Sequence, residues 1–426
     1  MKLTKEQEAI LDGAEGETKA LVMETLVMFG DIFGAKKLVP VTHKDGHLVT
    51  SFGVGLLKPL YRTMDRLIKD GLKTQGNFTV DPRPIDEENV KYGVLDKLVL
   101  KKFMYSAQER YEKQLKAIGL KNENAFTCTC YLKEVGNTPK QGDILSWAES
   151  SAVVFANSVL GARCNRNSGM IDLFGSILGL VPEFGLLTDA GRKATWVIKV
   201  KTTSVPEAQI LGSAIGMKVV EDVPYIEGLD KFLGNELDDK AIGYLKDFGA
   251  ATASNGAVGL YHIDGLTPEA KTLGKELIAK GAKEYIIDDA ELERVYNSYP
   301  NMWKKPDSKT KLCFVGCPHL TYTQLVDWTE KIASGLKETK RKKVAVDTIL
   351  CTSPDVGDKF KKTDDYKKLM ATGAKLTNIC PLMYTNNPLT KSKAIATNSN
   401  KLRTYSISRY YKNDVMLNTI IGKEAK

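Results

Sequence analysis

Two of the seven cysteines are each followed by proline, in Gly316–Cys317–Pro318–His319 and Ile379–Cys380–Pro381. Proline fixes its φ angle and carries no N–H, so it favours a tight turn that holds the preceding sulfur clear of regular structure. Iron–sulfur ligands are often found in such Cys-Pro contexts. A third candidate, Cys128, sits in Thr127–Cys128–Thr129–Cys130–Tyr131, just after the turn-like segment 122–124. The three are far apart in sequence, unlike the compact knuckles of a zinc ribbon. They suit a site assembled where lobes meet. Against this stands the ordinary fate of cysteine, which is to fill buried space. Cys313, in the apolar run 312–315, reads as core. Cys351 closes the apolar run 344–350 and reads as core or cleft lining. Cys164, between Arg163 and Arg166, borders charge and needs no ligand role.

The chain holds four histidines, His43, His47, His262 and His319. His43 and His47 flank Asp45–Gly46 behind an expected strand, and strand ends are where α/β enzymes place their sites. Each is equally compatible with a structural role. The densest polar cluster on an apolar background runs from Trp147 to Arg166. There Glu149, Ser150, Asn157 and Arg163 interrupt a stretch that should be buried. A buried carboxylate or guanidinium is costly unless paired or used. Arginine also suits bidentate capture of a carboxylate, although a helix-end salt bridge would explain Arg163 as well. The Gly-x-Gly occurrences are too isolated to mark a nucleotide site.

These residues need elements to carry them. Thr4 and Gln7 form an expected capping box ahead of an amphipathic helix over about 5–30. Segment 38–42 reads as a strand. At 267–288, Thr267 and Pro268 open a helix with a Leu273, Leu277, Ile278 stripe; Gly281 stops it and 285–287 follows as a strand. Repeated units of this kind indicate an α/β fold. The 426 residues exceed one ordinary domain of about 100–200 residues, and we expect three lobes, 1–170, 171–265 and 266–426. Cys128 belongs to the first, Cys317 and Cys380 to the last. Segment 300–311 reads as a polar connector within the last lobe.

Composition narrows the partners. The net charge is +9, and its densest run, 337–343, precedes an expected strand and reads as a solvated helix end. No aromatic interleaving or binding motif points to nucleic acid. No apolar run reaches the roughly 18–20 residues that span a bilayer, and the charged N-terminus has no signal core. We therefore expect a cytoplasmic protein with no membrane or nucleic-acid partner, its cysteines reduced or metal-bound.

Segment 147–166 closely resembles the signature of the aconitase X family, and further matches run the length of the chain. They include His43–Lys44–Asp45–Gly46, Thr127–Cys128–Thr129, 182–185 with Arg192, 253–257 through His262, 267–270, Gly316–Cys317–Pro318–His319, Cys380–Pro381 and 397–401. The resemblance implies an aconitase-like, multi-lobed α/β architecture with the active site at the lobe interface. By position Cys128, Cys317 and Cys380 match the family's cluster cysteines. They imply a 4Fe-4S or 2Fe-2S cluster, or a mononuclear iron, acting as a Lewis acid. A separate small swivelling subunit would supply a catalytic serine. Glu149, Ser150, His43 and Asp45 are the implied catalytic residues. Arg163, Asn398, Ser399 and Lys401 are the implied substrate contacts.

The implied activity is a hydro-lyase acting on a small hydroxy acid. Family reactions include dehydration of cis-3-hydroxy-L-proline, which we favour, and of mevalonate 5-phosphate. Departures from the family pattern keep a non-catalytic binding protein as a third reading. Cys130 stands in place of a usual Pro, Leu187 in place of His and Pro354 in place of Arg. Segment 78–84 does not look like the usual stretch.

Overall fold

The structure, a computed structural model, describes residues 1–423 except 91, 388–389 and 391–392. The capping box at Thr4 and Gln7 is formed, but the expected first helix is two, Lys5–Leu11 and Glu17–Ile32. Between them Gly13 and Gly16 take positive φ, a conformation that ends an α-helix. The N-terminal region carries two small sheets. Leu38–Pro40 pairs antiparallel with Leu180–Pro182, and Gly46–Leu48 pairs parallel with Phe78–Val80.

A four-stranded parallel sheet follows, in the order His262–Ile263, Pro224–Glu227, Ala194–Val200, Ile278–Ile287. The last of these corrects the sequence expectation at 267–288. The helix stops at Leu273, and a ten-residue strand begins at Ile278, before Gly281. Pairing with Ala194–Val200 wins over helical periodicity, and Leu277 is buried beside Ala194, Leu260 and Ala270. Helix Asp239–Asn255, capped by Asp238, packs against helix Ala208–Val219. The two backbones come close at Gly212, where a Cβ would lie 2.5 Å from the Phe248 carbonyl oxygen.

The C-terminal region is a five-stranded parallel sheet in the order Lys375–Thr377, Asp347–Thr352, Leu312–Leu320, Ile395–Thr397, Arg409–Tyr410. Its helices bury Leu325, Ile332, Leu369, Met416 and Ile420 against it. Chain order proceeds from the central strand Leu312–Leu320 to one edge, then returns to the other side. The switch lies between Leu312–Leu320 and Ile395–Thr397. In open parallel sheets the crevice outside the strands' carboxyl ends at such a point is where ligands bind. The basic run 337–343 is exposed apart from the half-buried Thr339 and follows helix Tyr322–Glu338. Among the described residues no helix is long and apolar enough to cross a membrane.

Candidate active site

A cavity of about 300 Å³ opens at that switch point. Cys128, Cys317 and Cys380 line it, together with Glu149, Ser150 and Lys401. Cys317 lies in the last part of the central strand, after Gly316, whose φ of 105° and 2.3 Å Cβ approach to the Cys351 carbonyl oxygen admit only glycine. Cys380 stands at the N-cap of the short helix Pro381–Thr385, with Pro381 as its first residue. Its N–H donates to the Arg83 carbonyl at 2.8 Å, which ties it to the N-terminal region. Cys128 follows the point where Phe126 bridges to Val80.

One imidazole joins the three segments. The His319 N–H reaches Cys128 Sγ at 3.4 Å. Its Nδ1 lies 3.1 Å from Thr127 Oγ1, and its Nε2 lies 3.1 Å from the Ile379 carbonyl oxygen. A carbonyl only accepts, so Nε2 carries the proton and Thr127 donates to Nδ1. Burial holds the imidazole neutral, down to about 4. His319 thus touches the neighbours of Cys128 and Cys380 from two residues beyond Cys317.

The three thiols are free. Burial pushes Cys128 well up, Cys317 up, and Cys380 up to about 12. They must shed these protons to bind a metal. Among the described residues no three Cys, His, Asp or Glu side chains are grouped as holders of a single ion. The donor set, three thiols from three segments around one cavity, is of the kind an iron–sulfur cluster takes.

The same cavity is lined by a buried ion pair. Glu149 caps helix Ser150–Ser158: one carboxylate oxygen accepts from the Ala152 N–H and the Ser151 hydroxyl, both at 2.6 Å. The other meets Lys401 Nζ, which also donates to Ser151 Oγ at 3.2 Å. Burial alone would raise the Glu149 carboxyl, but Lys401 and the Ser151 hydroxyl hold it well below the usual carboxylate range. Burial works against the Lys401 charge; Glu149, Cys317 and Cys128 more than offset it and keep it protonated. Lys401 is brought here by helix Asn400–Tyr405, capped by the Ser399 hydroxyl.

Other expected site residues lie elsewhere. Arg163 donates to the Leu187 carbonyl at 3.0 Å and pairs with Asp189, outside the cavity. Asn398 lines a neighbouring crevice and donates to Asn413 at 2.9 Å. His43 and Asp45 stand behind the wall. His43 Nε2 lies 2.8 Å from Asn137 Oδ1, and the Asp45 carbonyl accepts from Trp147 Nε1 at 3.0 Å. Cys313, Cys351 and Cys164 are fully buried and do not line the cavity.

One cavity residue, Asp81, escaped the sequence reading, and His47, which the sequence offered at a strand end, does not line the cavity. His47 is fully buried beside Trp147, with Nδ1 2.9 Å from Thr79 Oγ1 and Nε2 unpartnered. Burial lowers its pKa to about 4. Asp81 lines the cavity at the carboxyl end of strand Phe78–Val80. The available signal was the polar Asp-Pro-Arg-Pro step that ends an apolar strand.

The parallel sheets and the thiol-lined crevice between the N-terminal and C-terminal regions define a multi-lobed α/β fold. The chain belongs to the aconitase X family: the family's first, second and third domain models match residues 1–190, 194–297 and 310–421. It is similar to the phosphomevalonate dehydratase large subunit of Methanocaldococcus jannaschii, 32% identical over 99% of this chain and 98% of that one. It is similar also to the cis-3-hydroxy-L-proline dehydratase of Pseudomonas aeruginosa, 26% identical over 94% of this chain and 65% of that one. The crystal structure of Thermococcus kodakaraensis aconitase X in its holo-form superimposes with a TM-score of 0.80 at 28% identity, over 99% of this chain and all of that one. Its characterised relatives are dehydratases, and the chain is a hydro-lyase.

Proposed function

We propose that the chain is the thiol-bearing component of an iron–sulfur dehydratase of 3-hydroxy acids, with cis-3-hydroxy-L-proline as the first candidate substrate. The observation that carries this reading is the convergence of Cys128, Cys317 and Cys380 on one cavity with the Glu149–Lys401 pair. When bound, a cluster with an open iron supplies a Lewis acid for the substrate's hydroxyl. The chain's own residues do the rest of the positioning. Lys401, kept cationic by Glu149, offers one positive charge for one substrate carboxylate. The Ser150 hydroxyl at the same wall offers a hydrogen bond. Burial of the pair strengthens both interactions by excluding water.

The relatives named as large subunits support a smaller partner chain, which would close the cavity and contribute a catalytic serine. A second substrate reading, mevalonate 5-phosphate, is favoured by one observation. The chain spans nearly the whole phosphomevalonate dehydratase large subunit but 65% of the proline-type enzyme.

The test is anaerobic reconstitution with iron and sulfide, followed by incubation with the partner chain and each hydroxy acid. The expected result is a brown protein whose visible absorption is lost in Cys128→Ser, Cys317→Ser and Cys380→Ser. Mass spectrometry should show loss of one water from a substrate. A protein that stays colourless, with all three serine variants matching the parent, would refute the reading.

A further inference from the structure

Among the described residues Lys401 is the single cationic side chain lining the cavity, and its charge is already met by Glu149. Besides the hydroxyl-bearing Ser150 and Tyr405, the rest of the wall includes three thiols, apolar surface such as Val49, Phe52 and Met383, and the carboxyl of Asp81. Among the described residues that carboxyl accepts no hydrogen bond and joins no ion pair. The nearby arginines are committed elsewhere. Arg83 grips Glu112 with two hydrogen bonds of 2.9 and 3.0 Å, and Arg163 is held by Asp189. A carboxyl placed against a cavity without a partner is costly to ionise, because burial and the nearby Glu149 charge both oppose it. An incoming cation would remove that cost, whereas an incoming phosphate would meet a wall of acids and thiols. The backbone fixes the position: the Asp81 N–H donates to the Leu48 carbonyl at 3.4 Å, and Pro82 restricts the Asp81 backbone itself to extended conformations.

We propose that Asp81 is a specificity-determining residue whose carboxyl receives the cationic amino group of a 3-hydroxy amino acid held with its carboxylate toward Lys401. This rests on the dehydratase reading and names the substrate class that site selects. Two opposite charges lining one cavity would orient the ring or chain and leave its hydroxyl free to meet the thiols. An uncharged or anionic 3-hydroxy acid would gain only the Lys401 contact.

The experiment measures binding by calorimetry to the iron-reconstituted chain with its partner. The probes are cis-3-hydroxy-L-proline and its oxygen isostere, cis-3-hydroxytetrahydrofuran-2-carboxylate. The parent should bind the amine about 10- to 100-fold more tightly, the range of one charge-assisted hydrogen bond. Asp81→Asn should erase that preference while leaving the isostere's affinity unchanged, and Asp81→Glu should restore part of it. A parent that binds the two probes equally overturns the proposal. So does an Asp81→Asn variant that loses both probes alike while its melting temperature matches the parent's. A colourless parent that eliminates water from no hydroxy acid fails the wider reading instead, which separates the two.

Discussion

His319 shows how one side chain can place three others. Its two ring nitrogens and its N–H bond to Thr127, the Ile379 carbonyl and Cys128 Sγ, so each thiol-bearing segment is fixed relative to the others. Replacing it by leucine leaves the buried Ile379 carbonyl without its partner, at about 1–3 kcal/mol, while the Thr127 hydroxyl keeps its bonds to Thr129. We expect His319→Leu to lower the urea midpoint and to take up less iron on reconstitution, measured by metal analysis. His47 provides the pH test. Its folded pKa of about 4 lies below the ordinary histidine value. The folded protein therefore binds fewer protons than the unfolded chain between about pH 6.5 and 4. The stability advantage of the neutral imidazole is full above that window and lost as pH falls through it. The difference in unfolding free energy between the parent and His47→Leu should shrink by up to about 3 kcal/mol from pH 7 to 4. An imidazole that titrates near 6.5 by NMR would contradict this.

At the scale of elements, the site depends on strands and helices that end in the right place. Cys317 lies near the end of a parallel strand, Cys380 and Lys401 follow parallel strands, and Glu149 caps a helix. The helix pair behind the wall tolerates little change. Alanine at Gly212 gains about 1 kcal/mol of helix propensity. Its Cβ would, however, meet the Phe248 carbonyl oxygen at 2.5 Å and Ala251 Cβ at 2.8 Å. Backbone cannot step aside as a flexible side chain can, and overpacking costs about 1–3 kcal/mol. Gly212→Ala should thus lower the melting temperature despite its better propensity, as read by calorimetry.

At the scale of the molecule, buried Arg192 ties the helix of Glu149 to the four-stranded sheet. Its guanidinium holds Glu269 through bonds of 2.7 and 2.8 Å and reaches both the side chain and the carbonyl of Asn157. The Arg192 carbonyl in turn meets His262 Nε2 at 2.9 Å. Removing one partner of a buried pair leaves an uncompensated charge and costs about 3–5 kcal/mol. Arg192→Met should lose that much in denaturant unfolding, and Arg192→Met with Glu269→Leu should recover most of it. A double variant no better than the single would show that the guanidinium's other bonds dominate.

Much of the chemistry was legible without coordinates. Cys-Pro turns, the acid-bearing apolar stretch after Trp147, the capping box at Thr4 and Pro268 at a helix start are local, and local sterics and hydrogen bonding determine them from the residue types alone; the Thr267 hydroxyl instead bonds the Ile263 N–H. The parallel α/β class follows from the same alternation of helix and strand. Tertiary structure decided the pairings. It sent Arg163 to Asp189 and gave Lys401 to Glu149 across 252 positions. It turned His43 and Asp45 behind the wall and set Asp81 inside it. Such choices depend on which side chains meet once strands from distant segments align. The free energy of a buried charge rests on its partner rather than on its place in the chain.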